Sequence, residues 1–312
     1  MDAGCCSCPG VDVIAAIASI WWRALRASNL PTVWTNVLMG TLLALPQGTH
    51  TPQWWPLLLL IVGGSCAYLA GMAHNDLCDE PFDRSHKTPR PLVTGALTRR
   101  SMQIMMCGLL VGFIATVTAA AMLQDRFDLV TKALLIGLFL SIVAYNVLHR
   151  LHGGVAGVLM AACRALLVLL AAQIAGGLDA PQVWIGATAV ACWTAGITLL
   201  ARGERGGEPT VRGWLALFII AAAALPAVGL TGSGPLPYAT FGGLLIIGAG
   251  WIPTIWRTHA NGRPVPAVIW SILGLCVLDS GLLLAADQLI AAGVAMACMA
   301  LCMALQRRTI GT

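Results

Sequence analysis

Residues 54–83 read WWPLLLLIVGGSCAYLAGMAHNDLCDEPFD. The first part, 54–75, contains no Asp, Glu, Lys or Arg. A helix of about 20 apolar residues spans the hydrocarbon core of a bilayer, so this stretch reads as a membrane helix. Immediately beyond it stand Asp76, Asp79, Glu80 and Asp83. An apolar span that ends abruptly in carboxylates sets both the class of fold and the place to look for chemistry.

The rest of the chain repeats the apolar half of this pattern. Of 312 residues, 58% are hydrophobic and 10% charged, against roughly 25% charged in a soluble domain. A soluble enzyme, a disordered tail and a fibrous repeat are excluded. Further runs lie near 31–46, 101–123, 129–148, 154–176, 182–201, 211–231, 237–256, 266–284 and 286–306. Ten spans use roughly 200 residues and leave only short loops. The expectation is an all-α, polytopic membrane helix bundle of nine to ten transmembrane helices. The lower count applies if the last two runs, parted only by Asp287-Gln288, form one bent hairpin. Three segments follow: an N-terminal tail and interfacial helix over 1–28, the main transmembrane domain over 29–284, and an additional C-terminal transmembrane helix over 285–312. Trp21, Trp22, Arg23 and Arg26 suit the headgroup level.

Of the eighteen Lys and Arg, fifteen fall on one side of these spans, Arg126 and Lys132 on the other, and Arg164 inside a span. Positive charge marks the cytoplasmic face, so both termini are expected there. The basic residues form no aromatic-flanked patch, which argues against nucleic acid. Most of the eleven cysteines sit in apolar runs as small hydrophobes. Cys5, Cys6 and Cys8 lie in what reads as a plain tail, with metal binding or acylation as alternatives. No cleavable signal peptide is expected, since the first Arg follows the early apolar stretch.

Asp76, Asp79 and Asp83 are spaced three and four apart and share one face of a continuing helix. Three such carboxylates repel unless a cation sits among them, and carboxylates with few other ligands suit Mg²⁺. The competing reading is a solvated helix end. Glu204 and Glu208 follow the sixth span, in the place corresponding to the first motif; they read either as a second metal cradle or as a salt-bridged turn with Arg202, Arg205 and Arg212. Arg150 closes the fourth span and offers a fork for phosphate, with His149 beside it. Arg164 lies two to three turns into the fifth span, where a charge usually faces a cavity. Chain distance places Asp279 toward the far membrane face, so the expected partner of Arg164 is an anionic ligand.

These residues resemble the UbiA superfamily of intramembrane prenyltransferases. The resemblance rests on Asn75–Asp83, on the Asp83-Arg84…Lys87…Arg90-Pro91…Gly95 stretch, on Arg26-Ala27-Ser28-Asn29-Leu30-Pro31, and on Tyr145–Arg150. Residues 30–37 and 160–164 look like the bacterial EboC-like branch. Glu204…Glu208 and His149 depart from the family pattern. The resemblance implies a ring of helices around a central cavity, open to the cytoplasm and sideways to membrane lipid, in the inner membrane of a bacterium. It further implies Mg²⁺ held by Asp76, Asp79 and Asp83 with Glu204 and Glu208, and an isoprenyl diphosphate transferring its prenyl group to an unidentified acceptor. Arg26, Asn29, Asn75, Arg84, Lys87, Arg90, His149, Arg150 and Arg164 are then the expected substrate-binding set, and Tyr145, with Tyr68 or a Trp face as alternatives, the expected aromatic stabiliser of an allylic cation. Two other classes compete. One is a non-catalytic prenyl-lipid binder. The other is a secondary transporter, whose site normally lies near the midplane.

Overall fold

A computed structural model describes residues 9–46, 48–150, 153–202, 211–231, 243 and 246–310; all its regular elements are helices. α1 (Pro9–Ala24) leads through a 3₁₀ turn (Ala27–Asn29) into α2 (Leu30–Leu43). The motif helix α3 (Trp54–Ser85) is followed by the one-turn α4 (Pro91–Thr94), α5 (Arg99–Leu123), α6 (Leu129–Leu148) and α7 (Gly153–Ala175). Then come α8 (Pro181–Arg202) and α9 (Val211–Thr231). A π-helical turn (Ile246–Trp251) runs into α10 (Ile252–Ala260), and α11 (Pro264–Ala285) and α12 (Leu289–Ile310) close the chain. Local chemistry sets several starts. Thr98 and Ser101 form a reciprocal capping box on α5, and Asp128 accepts from the Thr131 amide to cap α6.

Eight helices among the described residues are long and apolar enough to cross a membrane. Two expected spans differ from that pattern. The run at 31–46 becomes the 14-residue α2, about 21 Å long and shorter than a bilayer core. It needs no such length, because Val33, Val37, Met39 and Leu43 are buried among α3, α7, α8, α11 and α12 and the helix faces protein rather than lipid. The run at 237–256 is helical from Ile246; most of its first half lies outside the described residues.

The span expected to stop at residue 75 instead continues as helix to Ser85. Its 32 residues make about 48 Å, well beyond the roughly 30 Å hydrocarbon core. The last three turns, which carry the acidic motif, are therefore surplus to what a span needs and continue it as unbroken helix. Hydrogen bonds show which helix ends meet. Gln306 Nε2 donates to Asn29 Oδ1 at 2.8 Å, joining the end of α12 to the start of α2 near the motif. At the opposite end Gln288 Nε2 donates to the Thr49 carbonyl at 3.0 Å.

Candidate functional site

Because α3 stays helical through the motif, Asp76, Asp79 and Asp83 lie along one face, and each is nearly buried, with 5%, 1% and 5% of its surface exposed. Each carries a cationic partner from another part of the chain. Arg90, at the start of α4, places Nη1 2.8 Å from Asp76 Oδ1 and Nε 3.2 Å from Asp83 Oδ2. Arg150, just past α6, holds Asp79 Oδ1 with Nη2 at 2.7 Å and Nε at 2.9 Å. His149 Nε2 lies 3.3 Å from the same oxygen. Arg26 approaches Asp76 to 3.9 Å. It does so from a left-handed backbone conformation (φ 49°), and its carbonyl accepts from the Tyr68 hydroxyl at 3.3 Å. The expected repulsion among the carboxylates is thus relieved by guanidinium groups.

Directly inside this layer lies a cavity of about 750 Å³. Its polar end is formed by Arg26, Asn29, Asn75, His149 and Arg150; Leu138, Ile142, Met160, Leu167, Ile197 and Leu275 supply much of the rest. Tyr68 and Tyr145 border it from α3 and α6, and Tyr145 stacks on His149 with ring centroids 5.3 Å apart. Arg164 also reaches the wall, yet it is tied to α2. Its Nη1 donates to Asn36 Oδ1 at 2.9 Å and to the Thr32 carbonyl at 3.2 Å, and Nη2 donates to Thr32 Oγ1 at 3.0 Å. Asn36 Nδ2 in turn donates to Asp279 Oδ2 at 2.7 Å. Asp279 therefore reaches Arg164 through a single amide, contrary to its expected place toward the far face. Arg164 has protein partners before any ligand arrives.

The expected site residues divide into four groups. Arg26, Asn29, Asn75, Tyr145, His149, Arg150 and Arg164 line the cavity. Asp76, Asp79, Asp83 and Arg90 form the ion-pair layer at its polar end. Arg84 and Lys87 stand apart: Arg84 pairs with Glu80 at 2.9 Å and donates to the Leu92 carbonyl, while Lys87 is exposed in a left-handed turn. The helix turns position 84 toward Glu80 and off the carboxylate face, whereas Lys87 lies beyond the end of α3. Glu204 and Glu208, like Cys5, Cys6 and Cys8, lie outside the described residues.

Sequence reading missed Phe82, whose ring lies 4.1 Å under the Arg150 guanidinium, and Thr32 and Asn36, which hold Arg164. Thr32 and Asn36 are polar side chains four apart, and so on one face, of a mostly apolar helix that also holds Thr35 and Thr41, and that spacing was the available signal. In chemistry the carboxylate and amide oxygens of Asn75–Asp83 fit a hard divalent cation. In arrangement they are interleaved with arginine, and no three His, Cys, Asp or Glu side chains among the described residues converge as a ready cage.

A bundle of membrane-crossing helices around a largely apolar cavity, bordered at one end by carboxylates and guanidinium groups, defines a polytopic membrane protein with an amphiphilic internal site. Residues 33–273 match the model of the UbiA prenyltransferase family. The chain belongs to that family. Its fold is shared with a UbiA homologue from Aeropyrum pernix K1, in the apo state, at 18% identity and TM-score 0.64 over 82% of this chain and 97% of the other. A structure of digeranylgeranylglyceryl phosphate synthase matches at 13% identity and TM-score 0.60 over 87% and 99%. A UbiA homologue from Archaeoglobus fulgidus, bound to GPP and Mg²⁺, matches at 17% identity and TM-score 0.58 over 84% and 99%. Comparison with curated protein sequences gave no match.

Proposed function

We propose that this protein is an integral-membrane, Mg²⁺-dependent prenyltransferase that moves an isoprenyl (non-methyl alkyl) group from a prenyl diphosphate to an acceptor. The observation that carries the reading is the three-carboxylate face with its arginines, set at the polar end of a cavity whose remaining wall is largely apolar. The Archaeoglobus relative binds GPP and Mg²⁺ on the same fold, which supports the same ligand class here.

Asp76, Asp79 and Asp83 supply the oxygen donors for the cation, with Glu204 and Glu208 as candidates from outside the described residues. The chemistry that Mg²⁺ supplies when bound is relief of the charge that builds on the departing diphosphate. Arg26, Arg90 and Arg150 bind phosphate oxygens, for which a planar guanidinium fork is suited. Asn75 orients the anion. The prenyl chain lies along Leu138, Ile142, Met160 and Leu167, where water is excluded. The C1–O bond breaks with its electron pair leaving on the diphosphate. The allylic cation is stabilised by the faces of Tyr145 and Tyr68. The acceptor's nucleophile then bonds to C1 and gives up a proton. Both termini lie on the cytoplasmic side of the inner membrane in this reading.

The test is pyrophosphate release from a C10–C20 prenyl diphosphate by the purified protein, with and without Mg²⁺, alongside mass spectrometry of co-purified lipids to seek the product. Release should require Mg²⁺ and fall by about two orders of magnitude or more in Asp76→Asn and Asp79→Asn, as for loss of a strong electrostatic contact to the developing charge. Wild-type release by either variant at limiting Mg²⁺ overturns the assignment. Tight binding of a prenyl diphosphate without release would make the protein a binder.

A further inference from the structure

The ion-pair layer is balanced before any ligand arrives. Asp76, Asp79 and Asp83 carry three negative charges, and Arg26, Arg90 and Arg150 supply three positive ones within 3.9 Å. Arg90 has the most particular place. One guanidinium joins Asp76 Oδ1 at 2.8 Å to Asp83 Oδ2 at 3.2 Å, bridging the first and third carboxylates across two turns of α3. Its side chain is 23% exposed, whereas those of Asp76 and Asp83 are 6% and 7% exposed. It reaches inward from the turn before α4, where its carbonyl accepts from the Val93 amide at 2.9 Å.

This balance has a consequence for what can enter. A divalent cation alone would bring two positive charges among three guanidinium groups and would have to displace one. A diphosphate alone would bring its negative charges against three ionised carboxylates. Arriving together they largely cancel. The phosphate oxygens then offer Arg90 new acceptors, and the carboxylate oxygens it leaves become free for the metal.

We propose that Arg90 stands in for the divalent cation in the ligand-free protein, so that the site takes up metal and diphosphate as a pair and holds metal alone only weakly. The proposal rests on the reading of this site as a metal–diphosphate site. Arg90 is thus a positioning residue: it keeps Asp76 and Asp83 in register and exchanges one anionic partner for another when substrate binds. No covalent step is involved.

The experiment measures Mn²⁺ binding by electron paramagnetic resonance on the full-length protein in detergent, with and without inorganic pyrophosphate. In the wild type, pyrophosphate should tighten Mn²⁺ binding by about tenfold or more, the scale expected when close charges are compensated. In Arg90→Gln, Mn²⁺ alone should bind about tenfold or more tightly than in the wild type, and the further gain from pyrophosphate should shrink. Adding Asp76→Asn to Arg90→Gln should remove the gained site. Arg90→Lys keeps a charge but loses the fork, so it should show a smaller gain; it serves as the second reading if Arg90→Gln does not fold. Mn²⁺ affinity in these variants equal to or below that of the wild type, with the wild type still binding Mn²⁺ in pyrophosphate, overturns the role of Arg90 and leaves the proposed function standing. A wild type that binds no Mn²⁺ even with pyrophosphate overturns the proposed function itself.

Discussion

Arg164 shows how far a single residue can be read in isolation. A charge at the bilayer centre costs roughly 2.5–3.5 kcal/mol on insertion scales, so something must meet it. What meets it is a relay: Thr32 and Asn36 accept from the guanidinium, and the Asn36 amide passes the interaction to Asp279, which is fully buried. The relay ties α2, α7 and α11 together. Replacing Arg164 with Met leaves Asn36 Oδ1 and the Asp279 carboxylate without their cation. The expected loss of ligand-free stability is about 3 kcal/mol, the lower end of the range for breaking a buried pair, because Arg164 keeps one face on the cavity. Asp279→Leu should lower the melting temperature in detergent similarly. The double variant should recover part of the loss, since neither charge is then stranded. An unchanged melting temperature in both single variants would refute the relay. The same logic bears on Asp79: its carboxylate holds Arg150, so Asp79→Asn lowers stability as well as turnover, and mutual repulsion of the carboxylates is no reason to expect otherwise.

Among the elements, α2 and α3 do the positioning in opposite ways. α3 is longer than the bilayer, and its surplus turns carry the acidic face out to meet Arg90, Arg150 and Arg26. α2 is shorter than the bilayer and works as a buried pillar, which requires close approach to its neighbours. At Gly40 a Cβ would stand 2.5 Å from the Val168 carbonyl oxygen on α7, a backbone atom that cannot rotate away. Gly40→Ala should therefore cost about 1–3 kcal/mol through overpacking. On the exposed side of α5, a Cβ at Gly108 meets nothing within 4 Å. Gly108→Ala should be neutral, or stabilising by up to about 1 kcal/mol from helix propensity. Thermal unfolding of the two variants in detergent checks the pair, and equal effects would mean that α2 and α7 are not in contact as described.

For the whole molecule the question is which end faces which compartment. The contacts Arg26–Asp76, Arg150–Asp79 and Gln306–Asn29 gather the start of α2 and the ends of α3, α6 and α12 at one end. Gln288–Thr49 and Arg126–Gly176 mark the other. With most Lys and Arg in the loops of the first end, the positive-inside rule leads us to propose that this end and the polar end of the cavity face the cytoplasm. A reporter fused after Arg308 should be cytoplasmic and one inserted within 48–53 should lie across the membrane. Both on one side would overturn the orientation.

Much was legible before any coordinates. Length and apolarity make residues 54–75 a helix, and if that helix continues, Asp76, Asp79 and Asp83 share a face. Those are local consequences of 3.6 residues per turn, whereas the continuation to Ser85 came from the structure. The apolar composition likewise required a bundle, and charge counting located its basic end. Partnership was not legible. Arg90 bridges Asp76 and Asp83 only because α4 folds back on α3, and Asn36 joins Arg164 to Asp279 across 128 and 243 residues of chain. Sequence distance placed Asp279 toward the far face because it counts residues from a span's end and carries no information on which helices are neighbours. Hydropathy also gave α2 a full span, since an apolar segment reads alike whether it faces lipid or protein. Side-chain type and helical period are properties of a segment, whereas charge compensation belongs to the packed bundle, where only the tertiary structure decides which cation meets which carboxylate.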